Sequence, residues 1–204
     1  MQRSISALLV IVLSGLLIMS LGCGKKPVEP IKNKVVKQKN ITQKPEEAIN
    51  KIPGWFLDPP KDPNYLYSTA TSQSRDLGLA LMDAENVGSA DISGQIQTKV
   101  TAMFQRFREE AGVGEDAELT SLSKSISQEV VSEVVSGIRT AKKDIVPEGS
   151  MSYRGYVLME MPIGLANATL VKKVKANNNM YTRFRASEAF KELEEEVSKY
   201  KQEK

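Results

Sequence analysis

The sequence has no histidine and only one cysteine, Cys23. Histidine is the commonest general base near neutral pH, and cysteine supplies thiol nucleophiles and soft metal ligands. A single cysteine also excludes an intramolecular disulfide. We therefore expect no metal site and no cofactor, and most of the residue constellations that hydrolases use are excluded.

The sequence also has little excess of charge of one sign. It contains 28 basic and 25 acidic residues, which gives a formal net charge of +3, and the two kinds are mixed along most of the chain. A domain that binds nucleic acid normally carries a basic stripe on one face. Nucleic acid is therefore not an expected partner.

Residues 1–22 have the pattern of a signal peptide. Arg3 provides a positive start, and an apolar run from Ala7 continues to Leu21. A helix that spans a membrane needs about 20 apolar residues, whereas this run is interrupted at Ser14 and Ser20. The pattern predicts export of the chain and cleavage before residue 23.

The residues that precede Cys23, from Ile18 to Gly22, resemble a lipobox, the processing signal of bacterial lipoproteins. A thiol is nucleophilic enough to take a diacylglyceryl group as a thioether, and cleavage then exposes an amine for a further acyl chain. Two or more acyl chains anchor a protein stably, whereas one chain does not. We therefore predict that Cys23 is the lipid-attachment residue. The alternative is a free cysteine beside an uncleaved anchor.

The residue after the cysteine bears on the choice of membrane. Gly24, rather than an aspartate, occupies this position, which resembles outer-membrane sorting in Gram-negative envelopes. We expect an outer-membrane lipoprotein that faces the periplasm. Its expected partners are the membrane, through lipid on Cys23, and either envelope proteins or further copies of the chain.

Residues 23–52 are predicted to be a flexible tether. They are rich in lysine, contain three prolines and have no aromatic residue, a composition typical of solvated, flexible segments. About thirty flexible residues span roughly 30 Å on average, enough to hold a domain clear of lipid headgroups. The lysines either keep the tether soluble or contact anionic headgroups or wall polymers, and salt would weaken such contacts.

A folded domain is predicted over residues 53–163. It begins at Pro53 to Phe56, and the only tryptophan, Trp55, either packs in the core or is exposed as a ligand platform. Strand-forming residues with aromatics at alternate positions then predict a first strand from Tyr65 to Thr71.

A long amphipathic helix is predicted next. Ser74 is a candidate N-cap, and apolar residues at three- and four-residue spacing continue to about Glu110. At 1.5 Å per residue this helix approaches roughly 55 Å, so one end must extend beyond any sheet that it covers. Its glycines, Gly78, Gly88 and Gly94, indicate close approach to a neighbouring backbone rather than phosphate binding. The predicted apolar stripe is Leu77, Leu81, Ala84, Gly88, Ile92, Ile96, Val100, Met103, Phe104 and Phe107.

A second amphipathic stretch provides a partner for the end that extends beyond the sheet. It follows a turn at Gly112 to Gly114, and the two helices are predicted to form a hairpin. The predicted apolar face of the second helix is Leu119, Leu122, Ile126, Val130, Val134 and Val135.

Two further strands are predicted on either side of Pro147 to Ser150, a typical turn sequence. They extend from Ile138 to Val146 and from Met151 to Ile163, and the incomplete alternation of the second is typical of a well-covered central strand. With the first strand they make a small antiparallel sheet. The predicted fold class is therefore α+β, with a strand, a long helix hairpin and a β-hairpin.

Residues 164–204 are predicted to be a C-terminal helical extension. Asn177 to Asn179 suggest a flexible hinge, and an amphipathic helix is predicted from Ser187 to Lys204. That helix either packs back on its own domain or forms a seam for self-association. Its apolar positions are Phe190, Leu193, Val197 and Tyr200.

Four segments carry a family resemblance: the Pro53 to Phe56 start, the Tyr65 to Tyr67 strand, the alanine-rich helix through Ile96, and the Tyr156 to Leu158 strand. Their order resembles that of the LPP-twenty lipoprotein family over roughly residues 53–163. This family includes the flagellar lipoprotein P, which builds a basal disc associated with the outer membrane, and it has no shared catalytic residues. The resemblance implies a structural or assembly role, with motility as one setting.

Three functional hypotheses follow. We favour a structural or assembly lipoprotein of the bacterial envelope. A second hypothesis is binding of a lipid or another small hydrophobic ligand between the sheet and the long helix. A third, an envelope enzyme, would have to use carboxylates on the long helix, although the solvated face of an amphipathic helix explains their presence without catalysis. These carboxylates are Asp83, Glu85, Asp91, Glu109 and Glu110.

Overall fold

The computed structural model describes residues 49–114 and 116–202, and these residues fold as an α+β domain. No helix within these ranges is long and apolar enough to cross a membrane. The helices and strands are α1 (Gly54–Leu57), β1 (Tyr65–Ser74), α2 (Leu77–Glu110), α3 (Ala117–Val134), a short 3₁₀ helix (Val135–Gly137), β2 (Arg139–Glu148), β3 (Ser152–Pro162), α4 (Ile163–Ala176), α5 (Asn178–Phe184) and α6 (Glu188–Gln202).

In the described part of the chain, three strands form an antiparallel sheet in the order β1, β3, β2. Ala70 of β1 pairs with Val157 of β3 on one side, and Lys143 of β2 pairs with the same residue on the other side. Val157 is fully buried because β3 is the central strand and the long helix α2 covers this face of the sheet. The prediction of a small antiparallel sheet with a covered central strand is confirmed.

The turn between β2 and β3 lies slightly further along the chain than predicted. Pro147 belongs to β2, where it pairs with Tyr153, and the chain reverses around Gly149, whose φ is 68°. Proline is tolerated here because β2 is an edge strand. Glycine adopts a positive φ without a steric penalty, so the reversal occurs at Gly149.

The N-cap of α2 differs from the prediction, whereas its C-terminal end at Glu110 agrees with it. Asp76, not Ser74, caps the helix, because its carboxylate accepts a hydrogen bond from the Leu79 N–H at 2.9 Å. The Ser74 hydroxyl instead accepts a hydrogen bond from the Asp76 N–H at 3.1 Å. Both residue types are good N-caps, and only the local backbone decides between them.

The buried stripe of α2 begins one turn later than predicted, at Ala80, and continues to Phe107. Leu77 is 47% exposed because it lies in the first turn, before the helix meets the sheet. Val135 of the second predicted face is 44% exposed because it belongs to the 3₁₀ helix that follows α3. The other predicted positions of both helices are buried or half-buried, and α3 packs against α2 as the second arm of the predicted hairpin.

Only one of the three helical glycines is used for close approach to the sheet. A Cβ on Gly88 would lie 2.5 Å from Met159 Cγ of β3 and 3.4 Å from Ala70 Cβ of β1. By contrast, a Cβ on Gly94 would have no neighbour within 4 Å among the described residues. Gly88 therefore allows close approach to the sheet, as predicted, but its near neighbours are side-chain atoms rather than backbone, and the prediction is wrong for Gly94. Gly78 lies close only to its neighbour Asp76, so the prediction is wrong there as well.

Four phenylalanines join the C-terminal helices to the far end of α2. The Phe107 ring lies 5.6 Å from that of Phe184 in α5 and 5.5 Å from that of Phe190 in α6, measured between ring centroids. Phe104 is the fourth member, 6.0 Å from Phe107. All four are almost fully buried. The prediction that the C-terminal helix packs back on its own domain is therefore confirmed, and no break in packing falls between residues 163 and 164.

The segment from Asn177 to Asn179 is not a hinge. The Asn177 side chain accepts a hydrogen bond from the Met180 N–H at 3.1 Å and so caps the short helix α5. Met180 is fully buried, which fixes this helix to the core. The asparagines mark a corner between two packed helices because asparagine is a preferred N-cap as well as a loop residue.

Trp55 is half-buried at the start of the domain. Its ring contacts that of Phe56 edge to face, with 6.3 Å between centroids, and Phe56 contacts Tyr156 of β3 at 5.0 Å. The helix α1 thus covers one end of the sheet face that α2 leaves open. Trp55 belongs to this small aromatic cluster, as the core-packing alternative predicts, although the side chain is not fully buried.

Candidate functional site

Cys23, the predicted lipid-attachment residue, lies outside the described residues, as do the predicted signal peptide and most of the predicted tether. These features remain predictions from the sequence. The candidate surfaces of the folded domain belong to residues 49–114 and 116–202.

The carboxylates considered for catalysis are spread along α2. Glu85 accepts a hydrogen bond from the hydroxyl of Thr140 in β2 at 3.0 Å, and Asp91 accepts one from an amide one turn further along at 2.9 Å. Glu109 accepts a hydrogen bond from a glutamine one turn earlier, and Asp83 is exposed. Within the described ranges, no three acidic or cysteine side chains are grouped so that they could hold a metal ion.

Glu110, the fifth of these carboxylates, joins α2 to α6. Its side chain accepts a hydrogen bond from the Ala189 N–H at 2.7 Å and one from the Arg106 guanidinium at 2.8 Å. These donors stabilise the ionised form and lower the pKa of Glu110. A negative charge at the first turn of α6 also interacts favourably with the helix dipole. Glu110 therefore has a structural role.

Asp116 has a similar role between α3 and α5. Its carboxylate accepts a hydrogen bond from the Leu119 N–H at 3.0 Å, which caps α3, and forms an ion pair with Arg183 at 2.5 Å. The pKa of Asp116 is lowered, first by the Leu119 N–H and then by Arg183. Neither Asp116 nor Glu110 has the raised pKa that a carboxylic acid needs to donate a proton near neutral pH.

A basic cleft of about 1040 Å³ opens where the first residues of β1 and β2 meet α2, α4 and α6. Its charged lining consists of Lys99, Arg139 and Lys199 against one carboxylate, Glu196. Arg139 forms an ion pair with Glu160 at 2.7 Å, whereas Lys99 and Lys199 have no ion pair with any described residue.

The cleft also has apolar lining from Met103, Ile163 and Leu165. The N-terminus of α4, which no side chain caps, belongs to the same lining. Backbone N–H groups at the start of a helix favour anions. The arrangement suits an anionic group attached to an apolar body.

The free edge of β1, on the side away from β3, is a second candidate surface. Two hydrogen bonds show which backbone groups of β1 point to this edge. In an antiparallel strand, the N–H and the C=O of one residue point to the same side. The Tyr67 carbonyl accepts a hydrogen bond from Gln95 Nε2 of α2 at 3.0 Å, and the Tyr65 N–H donates one to the Asp62 carbonyl at 3.1 Å. The backbones of the odd-numbered residues of β1 therefore point away from β3.

Further along this edge, the backbone groups of Thr69, Thr71 and Gln73 point outward and have no backbone partner among the described residues. Charged side chains and prolines usually protect such an edge from pairing with another strand. The ten residues of β1 include neither. The opposite edge, β2, contains Arg139, Lys142, Lys143, Asp144, Pro147 and Glu148. Only β2 is protected in this way.

The side chains that accompany the free edge are polar but uncharged. The rings of Tyr65 and Tyr67 stack with 6.0 Å between centroids, and burial, together with the nearby Glu160, raises the pKa of Tyr67. The hydroxyl of Thr71 is buried and has no hydrogen-bond partner within the described ranges. Buried hydroxyls in native proteins nearly always have a partner.

The fold class is α+β, with a three-stranded antiparallel sheet covered on one face by a 34-residue helix in the described part of the chain. Comparison with protein-family models, with curated proteins and with solved structures gives no match to this chain.

No local sequence pattern predicts the β1 edge or the basic cleft. The absence of charge from Tyr65 to Ser74 is visible in the sequence, but it gains meaning only when β1 is known to be an edge strand. The cleft combines residues from α2, β2 and α6 that are far apart in the chain, and no local pattern links Lys99, Arg139 and Lys199.

Proposed function

We propose that this protein is a membrane-anchored lipoprotein with a structural or assembly role in the bacterial envelope, held to the outer membrane by lipid on Cys23. The observation that supports this role best is the free edge of β1, which is unprotected although the other edge strand is charged. An unprotected edge is a site for adding a strand from another chain. Such a surface serves assembly rather than chemistry.

The positions of the acidic side chains also favour assembly over catalysis. Four of the five carboxylates on α2 already bind a structural partner. General acid catalysis by a carboxyl group needs a raised pKa, and the pKa of Glu110 is lowered. The proposal is therefore a protein without enzymatic activity.

The setting of this role is suggested by the resemblance to the LPP-twenty lipoprotein family. That resemblance rests on sequence segments such as Tyr65 to Tyr67 and Tyr156 to Leu158, which lie in neighbouring strands of the sheet. The family includes a lipoprotein of the flagellar basal disc. We therefore propose the flagellar base as the first complex in which to look for the protein.

Crosslinking in intact cells, followed by identification of the crosslinked proteins, tests the proposed role. The proposal predicts a defined complex that contains envelope proteins or several copies of the chain. The Cys23→Ser variant is the matched control, since it should leave the membrane fraction or remain unprocessed and should lose the complex. A chain that crosslinks to nothing at its native level would contradict the assembly role.

A second candidate function is binding of an anionic amphiphile, such as a lipid with an acidic headgroup. The observation that favours it is the cleft, in which Lys99 and Lys199 have no ion pair with a described residue and lie near an apolar lining. Mass spectrometry of the purified protein should then show a co-purified acidic lipid. The Lys99→Glu and Lys199→Glu variants should lose it, while a charge reversal at the exposed Lys124, on α3, should not.

A further inference from the structure

We propose that two copies of this protein pair through the outer edges of β1, antiparallel, so that two three-stranded sheets become one six-stranded sheet. This inference rests on the proposed assembly role and names the partner as a second copy of the chain. Its starting observation is that the backbone groups of Thr69, Thr71 and Gln73 point outward and have no backbone partner among residues 49–114 and 116–202.

The outward residues of β1 match one another in an antiparallel arrangement. When the two-fold axis passes near Thr69, this residue faces its own copy, Tyr67 faces Thr71, and Tyr65 faces Gln73. A complete hydrogen-bonded pair in such a ladder exchanges two backbone hydrogen bonds. The Tyr65 N–H already donates to the Asp62 carbonyl, so each pair of Tyr65 with Gln73 forms one, and the Tyr67 carbonyl accepts a second donor beside Gln95. Aromatic pairs with β-branched residues and pairs of threonines are favourable cross-strand neighbours. No like charges meet because β1 has no charged residue.

The position of α2 favours a second copy over a lone strand from another protein. Gly88 lies between Ala70 of β1 and Met159 of β3, so the helix axis is about half a strand spacing inside β1. Neighbouring strands are about 4.8 Å apart. The two α2 axes would therefore be separated by one strand spacing between the two β1 strands and by half a spacing on each side, about 10 Å in all. This is close to the interaxial distance of 8–10 Å in packed helices. A lone added strand would leave this helix side uncovered.

The side of α2 that would meet its copy is identified by Gln95, whose amide reaches the outward carbonyl of Tyr67. Val87 and Asp91 share this side, at spacings of four residues. Val87 is 54% exposed, so the pairing would bury an apolar side chain. Asp83 and Lys99 continue the same spacing further along the helix. Asp91 is the charged residue of this side nearest the two-fold axis, which brings it near its copy and limits the strength of the pairing at neutral pH.

A cysteine crosslink in intact cells tests the pairing directly, because the only natural cysteine, Cys23, is proposed to be blocked by lipid. In the Thr69→Cys variant, the two introduced cysteines should lie within the 4.4–6.8 Å Cα separation of disulfides. Mild oxidation should then give a crosslinked species of twice the chain mass. The matched control is Ala141→Cys, an exposed position on β2, which should give none, as should the unmodified chain.

A proline variant separates loss of pairing from loss of folding. The Thr69 N–H points outward, so Thr69→Pro removes an edge donor and leaves the β1 to β3 hydrogen bonds intact. The full-length protein in detergent should then sediment as a monomer with an unchanged circular dichroism spectrum. Ala70→Pro, which removes a hydrogen bond to β3, should unfold the sheet. Asp91→Asn should instead strengthen the pairing and shift dimer formation to lower protein concentration.

Several outcomes would overturn the pairing. They are a crosslink through Ala141→Cys and not through Thr69→Cys, a crosslinked species with the mass of another protein, and dimer formation that survives Thr69→Pro. None of these contradicts the proposed envelope role, which depends on the Cys23→Ser result and on the identified complex. Failure of the inference and failure of the proposed function are therefore distinguishable.

Discussion

Gly155 of β3 is the position where a single methyl group should be most damaging. A Cβ at this residue would lie 2.7 Å from the Ala80 carbonyl oxygen, 2.9 Å from the Ala80 carbonyl carbon and 3.1 Å from the Leu81 nitrogen. All three are backbone atoms of α2, so no side chain can rotate away to make room. In Gly155→Ala, either the helix must move away from the sheet or β3 must bend.

The expected size of the effect combines two opposing terms. Overpacking of a core typically costs about 1–3 kcal/mol. Replacing glycine with alanine restores about 0.4–1 kcal/mol by reducing the entropy of the unfolded chain. Because the atoms in the way are backbone, the overpacking cost should lie in the upper part of its range, about 2–3 kcal/mol. With a gain of about 1 kcal/mol from the glycine replacement, the net loss in the free energy of unfolding should be about 1–2 kcal/mol. At about 2–4 °C per kcal/mol for a domain of this size, the Tm should fall by roughly 2–8 °C.

Gly94→Ala is the matched control, because the same methyl group would have no neighbour within 4 Å among the described residues. Alanine is favoured over glycine within a helix by about 0.8–1 kcal/mol, so this variant should be more stable than the natural chain. Thermal and urea unfolding, followed by circular dichroism at a monomeric concentration, measure both variants. Equal stability of Gly155→Ala and the natural chain would refute this close packing of α2 on β3.

Three further predictions concern the helical end of the domain and the cap of α2. Phe107→Ala should reduce the free energy of unfolding by about 3–5 kcal/mol, whereas Leu79→Ala on an exposed face should change it by less than about 0.5 kcal/mol; urea unfolding distinguishes them. The pKa values of Glu110 and Asp116 are lowered by folding, so their contribution to stability is present above their unfolded pKa values and is lost as pH falls through the folded ones. The Glu110→Gln and Asp116→Asn variants should therefore be less stable at pH 7 and should lose less stability on acidification below about pH 4. Asp76→Ala should cost about 1 kcal/mol by removing the N-cap of α2, and Ser74→Ala should cost less, as thermal unfolding would show.

Local patterns predicted most of the elements but not their exact ends. The spacing of apolar residues predicts the end of α2 at Glu110 correctly because these residues are buried along nearly the whole helix. The same pattern gave two wrong positions, Leu77 and Val135, which have the right residue type and spacing but lie where the helix has not yet met, or has already left, its partner. Burial at the end of a helix depends on which other elements pack there, and the spacing of apolar residues carries no information about them.

Long-range features were beyond the reach of the sequence patterns. Asparagine occurs in both loops and N-caps, so Asn177 to Asn179 suggested a hinge, and the burial of Met180 and Phe184 became evident only in the structure. The free edge of β1 depends on β3 taking the central place in the sheet, which follows from pairing between residues about ninety positions apart. Cys23 stays a prediction from its sequence context.

The central proposal is that this domain is held to a membrane by lipid on Cys23, and the mass of the mature N-terminus tests it most directly. Protein purified from membranes should begin at residue 23 and carry a diacylglyceryl group on the Cys23 sulfur, with a further acyl chain on its amine where the host completes processing. An N-terminus that retains residues 1–22, or an unmodified Cys23 thiol, would contradict the account.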